Sequence, residues 1–287
     1  IDELETSLMH GAFLLFCLTQ ADAPSDTLAE DVRGRIQTRT YLFKAARRKM
    51  EYTLYVPNNY DKQRKSPLIV ALHGLASNPR QIIRYPGLIT QAEKHGYIVV
   101  APMGYSPYGW YGSRGRGGTR SNDPDNLGEL SEKDVLNVLA IVRETYQIDD
   151  RRIYLLGHSM GGSGAWHLAI KYPDIWAAIS PLAPATARSP NALIKAKHIP
   201  VIVVQGDQDK LVYSTRRWVA KMKELKMEHR YIEVAGGGHV RIAFAHFPEV
   251  FEFFNAHTKP ETRRSDKITA GSAARNPAAD DCLQLGW

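Results

Sequence analysis

The chain has 287 residues, 44% hydrophobic and 23% charged, proportions of an ordinary soluble globular protein that exclude the disordered, fibrous and membrane-bundle classes. Its formal charge of +7 is spread among interspersed acids and carries no nucleic-acid-binding fingerprint, so no nucleic-acid partner is expected. With only Cys17 and Cys282 present, neither a disulfide framework nor a cysteine-based metal site can be assembled.

In chain order, the apolar run GAFLLFCLT at 11–19 precedes Ala21, Asp22 and Ala23, which resembles the hydrophobic region and A-x-A cleavage site of a secretory signal. The residues before it carry Asp2, Glu3 and Glu5 without a Lys or Arg, so an amphipathic terminal helix is the alternative. The run is too short to span a bilayer. A secreted or periplasmic location is therefore expected, with a cytoplasmic one as the alternative.

From residue 39 onward, strand-like runs alternate with helical stretches, the pattern of an α/β fold with a mostly parallel sheet covered on both faces. Eight strands are predicted: 40–44 and 50–56 as an antiparallel start, then 68–72, 98–101, 153–156, 177–181, 201–204 and 230–234. LIVAL at 68–72 and VIVV at 201–204 are apolar throughout, as strands buried on both faces are. Residues 1–38 are set apart as an N-terminal segment, 39–258 as one domain, and 259–287 as a tail rich in Ala, Gly, Ser and polar residues.

Residues 104–128 hold seven Gly and two Pro and no period, and read as a long loop. It follows a central strand, at the edge where ligands bind in open α/β sheets. Tyr105, Tyr108 and Trp110 are candidates for a substrate-binding wall, with anchoring of the loop as the alternative. Arg114, Arg116 and Arg120 could meet an anion there or be solvated. Helical spacing of Val135, Val138, Leu139 and Val142 predicts a helix over 130–146, opened by Ser131 with Asp134 three residues on.

The strongest signal is RIYLLGHSMGG at 152–162, a strand that runs into G-x-S-x-G and then a helix. In such a nucleophile elbow Ser159 occupies a tight, strained turn, and Gly157 and Gly161 let strand and helix approach. A serine hydroxyl needs a base within reach and a carboxylate to orient that base. The buried strand at 201–204 leads into QGDQD at 205–209, which offers Asp209 as the acid, with Asp207 as the alternative. After the last strand, three glycines precede His239, the candidate base, while His246 and His257 fall in the following helix and are poorer candidates. The developing oxyanion needs two donors, expected from the backbone N–H groups of Met160 and of Leu75, the latter in the HGLA turn at 73–76. His158 is expected to pack beside the site or line its pocket.

LHGLAS at 72–77, the loop ending at Trp110, LSEKDVLNVL at 130–139, DDRRIYLLGHSMGGSGAWHLAIKYPDIWAAISPLAPA at 149–185, PVIVVQGDQDKLV at 200–212 and GGGH at 236–239 together resemble the feruloyl esterase and polyhydroxybutyrate depolymerase-like esterases of the α/β-hydrolase superfamily. The likeness spans roughly residues 40–256. It implies a Ser159, Asp209 and His239 triad that hydrolyses carboxylic esters with neither cofactor nor metal. The expected substrate is a small-molecule or polymer-linked ester, aromatic or short-acyl, taken by a monomer or weak homo-oligomer without a membrane span. A serine peptidase of the prolyl-oligopeptidase type shares this residue order, and a non-catalytic binding protein that keeps the fold is the alternative outside enzymes.

Overall fold

The computed structural model describes residues 32–261 except Thr119 and Ala187. The signal-like run at 11–23 and residues 262–287 of the expected tail lie outside the described residues. All eight predicted strands form: β1 (Ile36–Phe43), β2 (Arg48–Tyr55), β3 (Ser66–Leu72), β4 (Ile98–Pro102), β5 (Ile148–His158), β6 (Ala178–Leu182), β7 (Val201–Gly206) and β8 (His229–Val234). β1 and β5 begin earlier than their apolar runs suggest, because ladder pairing continues past the buried centre, as at Ser66 against Ile148.

The strands lie in one sheet in the order β1-β2-β4-β3-β5-β6-β7-β8. β1 pairs antiparallel with β2, and β2 antiparallel with β4, while every other pair is parallel. From β3 the chain crosses first to β4 on one side and then to β5 on the other. This reversal opens a crevice at the carboxyl ends of β3 and β5, the place where open α/β sheets bind ligands.

Helices α1 (Pro79–Ile82), α2 (Leu88–His95), α3 (Leu127–Thr145), α4 (Met160–Lys171), α5 (Val212–Glu224), α6 (Ile242–Ala245) and α7 (Phe247–Ala256) cover the two faces. Side-chain alternation along a strand decides which cover each residue meets. Leu68, Val70 and Leu72 enter one core with Val138, Leu139 and Trp166, while Ile69 and Ala71 enter the other with Leu88, Phe247 and Phe251. Both cores are built of apolar side chains, which is why the central strands carry no polar alternation. Among the described residues no helix is long and apolar enough to cross a membrane.

The start of α3 differs from expectation. Asn126 occupies the N-cap position, and Ser131 and Asp134 lie inside the helix, both fully buried. Instead of capping, they hold the long loop: Ser131 Oγ accepts from the Tyr111 N–H at 3.0 Å, and Asp134 Oδ2 from the Gly104 N–H at 2.7 Å and the Tyr105 N–H at 3.3 Å. Asp134 Oδ1 also accepts from the Tyr41 hydroxyl at 2.5 Å. A buried carboxyl group must be satisfied, and here loop backbone and the Tyr41 hydroxyl do it.

Candidate active site

β5 ends at His158 and α4 begins at Met160, leaving Ser159 at the turn between them. Ser159 takes φ 57° and ψ −113°, a conformation that persists only where surrounding structure over-determines it. The glycines supply that constraint. A Cβ on Gly157 would stand 2.1 Å from the Gly161 carbonyl oxygen, and one on Gly161 would stand 2.1 Å from the Leu72 carbonyl oxygen. Strand, turn and helix therefore meet backbone against backbone. The Ser159 N–H donates to the Leu182 carbonyl at 2.9 Å, and the side chain opens into the crevice beside the end of β3.

The loops after β7 and β8 are joined in the same manner. A Cβ on Gly206 would meet the Gly237 carbonyl oxygen at 2.1 Å, and the Gln208 N–H donates to that oxygen at 3.0 Å. His239 is thereby turned back over the sheet, with Nε2 2.9 Å from Ser159 Oγ and Nδ1 2.7 Å from Asp209 Oδ2. Asp209 is 8% exposed and accepts two further bonds, from Gln205 Nε2 at 2.8 Å and the Leu211 N–H at 3.0 Å. Burial acts to raise its pKa, and the bonds from His239, Leu211 and Gln205 outweigh burial and hold it below the usual carboxylate value. The ionised carboxylate can only accept, so His239 carries its proton on Nδ1 and presents a lone pair to the Ser159 hydroxyl. Asp207 does not face the imidazole: its N–H donates to Val234, and its buried Oδ1 has no partner among the described residues.

His158 is buried beside this line. Its Nε2 lies 3.0 Å from the His239 carbonyl oxygen, which can only accept, so Nε2 carries the proton and Nδ1 accepts from the Tyr85 hydroxyl at 2.8 Å. Burial pulls the His158 pKa down to about 4, which keeps the ring neutral near neutral pH and its two hydrogen bonds in place. The main chain of His239 is thus held from beneath by a side chain adjacent to Ser159.

Two backbone donors border the serine. Met160 is the first residue of α4, where the N–H has no intrahelical acceptor. Leu75 follows the end of β3, and its N–H meets no protein acceptor among the described residues. Gly74 packs against the elbow, since a Cβ there would stand 3.5 Å from Ser159 Cβ. His73 Nε2 lies 2.9 Å from the Met103 carbonyl oxygen and ties the end of β3 to that of β4.

A groove of about 900 Å³ opens over Ser159, His158 and His239, walled by Leu75, Tyr85 and Val240 and by polar residues of α1 and the turn after it. Tyr105, Tyr108 and Trp110, expected to form this wall, do not line it. Tyr105 packs edge-on against Phe43, the Trp110 ring is buried under the Arg114 guanidinium, and Tyr108 lies under Arg120. The loop folds onto the protein because Tyr111, fully buried, lies against Gly164 of α4 and donates to the His73 carbonyl at 3.2 Å. Tyr111 thereby braces the main chain at the end of β3. Trp166, buried as expected of a core residue, also lines a separate cavity of about 320 Å³ with Trp218. His246 and His257 pair with Glu249 and Glu228, away from Ser159.

Sequence reasoning did not single out Gln205 or Tyr85. Gln205 left one trace, a lone polar side chain between a buried apolar strand and an acidic turn. It donates to Asp209 and accepts from the Thr215 hydroxyl at 2.7 Å. Tyr85 has no local signature, since its partner is distant in the chain. Among the described residues no group of three or more His, Cys, Asp or Glu is placed to hold a metal ion.

A mostly parallel eight-stranded sheet with a tight Gly-x-Ser-x-Gly turn from its fifth strand into a helix defines the α/β-hydrolase class. Within it, the family model described as "Putative esterase" matches residues 44–246, and the chain belongs to that esterase family. Among curated relatives, the chain is similar to an S-formylglutathione hydrolase of Rattus norvegicus, 30% identical over 148 residues, covering 47% of this chain and 52% of that one. It is also similar to feruloyl esterase B of Talaromyces funiculosus, 26% identical over 130 residues, covering 45% and 35%. The chain spans about half or less of the length of these relatives. The solved structure of an S-formylglutathione hydrolase from Agrobacterium tumefaciens shares the fold, with a TM-score of 0.65 at 15% identity over 78% of this chain and 95% of that one.

Proposed function

We propose that the protein is a serine carboxylic-ester hydrolase, with Ser159 as nucleophile, His239 as general base and acid, and Asp209 as the carboxylate that orients the imidazole. The observation that carries this reading is the unbroken hydrogen-bonded line from Asp209 through His239 to Ser159. As Ser159 Oγ attacks the ester carbonyl carbon, its proton passes to His239 Nε2, and Asp209 stabilises the imidazolium. The carbonyl oxygen takes up negative charge, held by the N–H groups of Met160 and Leu75. Collapse breaks the bond to the alcohol oxygen, which leaves with the proton from His239. Water, deprotonated by the same nitrogen, then attacks the acyl-serine, releases the acid and returns the proton to Oγ.

The feruloyl esterase relatives and the apolar wall of Leu75, Tyr85 and Val240 support aromatic hydroxycinnamate-type or short-acyl esters as substrates. The signal-like run before residue 23 supports action outside the cytoplasm. Ser159→Ala is expected to lose about 10⁶-fold in kcat on short p-nitrophenyl esters, with an unchanged far-ultraviolet circular dichroism spectrum and no labelling by a fluorophosphonate. Undiminished hydrolysis in that variant would dispose of the reading.

A further inference from the structure

The sequence draws attention to Arg114, Arg116 and Arg120 as possible anion contacts, and the structure engages all three elsewhere. Arg114 lies 3.5 Å over the Trp110 ring, Arg116 pairs with Glu129 at 3.1 Å, and Arg120 pairs with Asp123 at 3.1 Å. Positive charge reaches the groove over Ser159 from a different element. Arg80 and Arg84, one turn apart along α1 and the turn that follows it, both line the groove, and among the described residues none of those lining it is acidic. Arg80 is neutralised by Glu51. Arg84 is exposed, and its Nη1 donates to the Arg80 carbonyl at 3.0 Å, which leaves its positive charge without a carboxylate partner among the described residues.

The rest of the groove combines apolar and polar walls. Next to Ser159 the walls are Leu75 and Val240, 50% and 51% exposed, with the Tyr85 ring between β5 and α6. Towards α1 they become Ser77, Asn78, Gln81 and Arg84. A guanidinium presents paired N–H groups that match a carboxylate in charge and geometry, and charge of one sign in a cleft concentrates ligands of the other.

We propose that Arg84 sets the substrate class of this groove: an ester whose apolar portion lies along Leu75 and Val240 and whose far end carries a carboxylate, bound by the Arg84 guanidinium. This rests on the ester-hydrolase reading. The carboxylate can belong to the acyl or to the alcohol portion, and two matched pairs of esters separate these cases. The p-nitrophenyl half-ester of a dicarboxylic acid against its methyl-capped form tests the acyl side. Against the alcohol side stand 4-acetoxybenzoate and its methyl ester.

In the full chain, kcat/KM is expected to favour the carboxylate member of one pair by about fivefold to tenfold, with the difference carried by KM and reduced at high ionic strength. Arg84→Gln is expected to abolish that ratio and Arg84→Glu to invert it, whereas Arg116→Gln, outside the groove, keeps the wild-type ratio. Equal rates within both pairs for the wild type, or a preference that survives Arg84→Gln, would overturn the proposal while leaving ester hydrolysis intact. Failure to hydrolyse any of the four esters, together with no fluorophosphonate labelling, would instead remove the reading beneath it.

Discussion

Asp207 and Asp209 stand on the same turn after β7, and only the second meets His239. The difference is one of direction, since Leu211 and Gln205 donate to Asp209 from its own turn and strand and fix its rotamer. Asp209→Asn would deliver an amide that can donate, which favours the wrong imidazole tautomer. It is expected to lower kcat by about 10⁴-fold, while Asp207→Asn stays within about tenfold of wild type in steady-state assays on one ester. A comparable loss in both variants would contradict the assignment of roles. Gln205 touches Asp209 and Thr215 and does not line the groove, and it could not be read from the sequence because a polar residue in a buried strand does not name its partner.

At the scale of elements, the elbow and the long loop place the site. Gly161 accepts no side chain, because a Cβ would lie 2.1 Å from the Leu72 main-chain oxygen and β3 cannot retreat without losing its pairing with β5. Gly161→Ala is expected to destabilise the protein by on the order of 4 kcal/mol or to prevent folding, measured by urea denaturation or soluble yield. Near-wild-type stability would mean that the elbow yields more easily than its contacts imply. The elbow was legible because it is local: strand, two glycines and helix lie within a dozen residues. The strands were legible for the same reason, since LIVAL and VIVV show two-sided burial directly. What escaped the sequence was pairing at a distance. Ser131 and Asp134 resemble a helix start, and only the arrival of the 104–111 loop against them turns them into buried acceptors. The same loop brings aromatic residues to the correct edge of the sheet and then packs them onto the protein, burying Trp110 and Tyr111 and covering part of Tyr105 and Tyr108, which periodicity could not foresee.

Across the whole molecule, pH acts through groups held away from their ordinary protonation. His158 is drawn down to about 4 by burial, and burial lowers His73 as well. At these two histidines the unfolded chain therefore binds more protons than the folded one between roughly pH 6.5 and pH 4, and their contribution to stability is lost as pH is lowered through that window, outweighing the opposite effect of the buried Asp134 carboxyl, which burial pushes up. Below it, Glu132 adds a second loss. Burial acts to raise this carboxyl, and its bonds from His167, Lys171 and Tyr172 outweigh burial and hold it at about 2, so its contribution, complete above the ordinary glutamate value, disappears towards pH 2. Guanidinium titrations at pH 7, 5.5 and 4 are expected to show a progressive decrease, smaller in His158→Asn. A flat profile would rule out a neutral buried His158.

The sheet order has one more consequence. Among the described residues β8 pairs with β7 and with no other strand, its further ties are surface ion pairs such as Arg216–Glu233 and Arg230–Glu252, and it is only half-buried, yet His239 hangs from its end. Unzipping that margin would carry the imidazole off while β3 and β5 stay clasped, an opening of the low-energy kind that precedes global unfolding. Turnover is then expected to vanish at lower denaturant than the fluorescence change of the interior Trp166 and Trp176, and coincident midpoints would show that the margin and the centre melt as one.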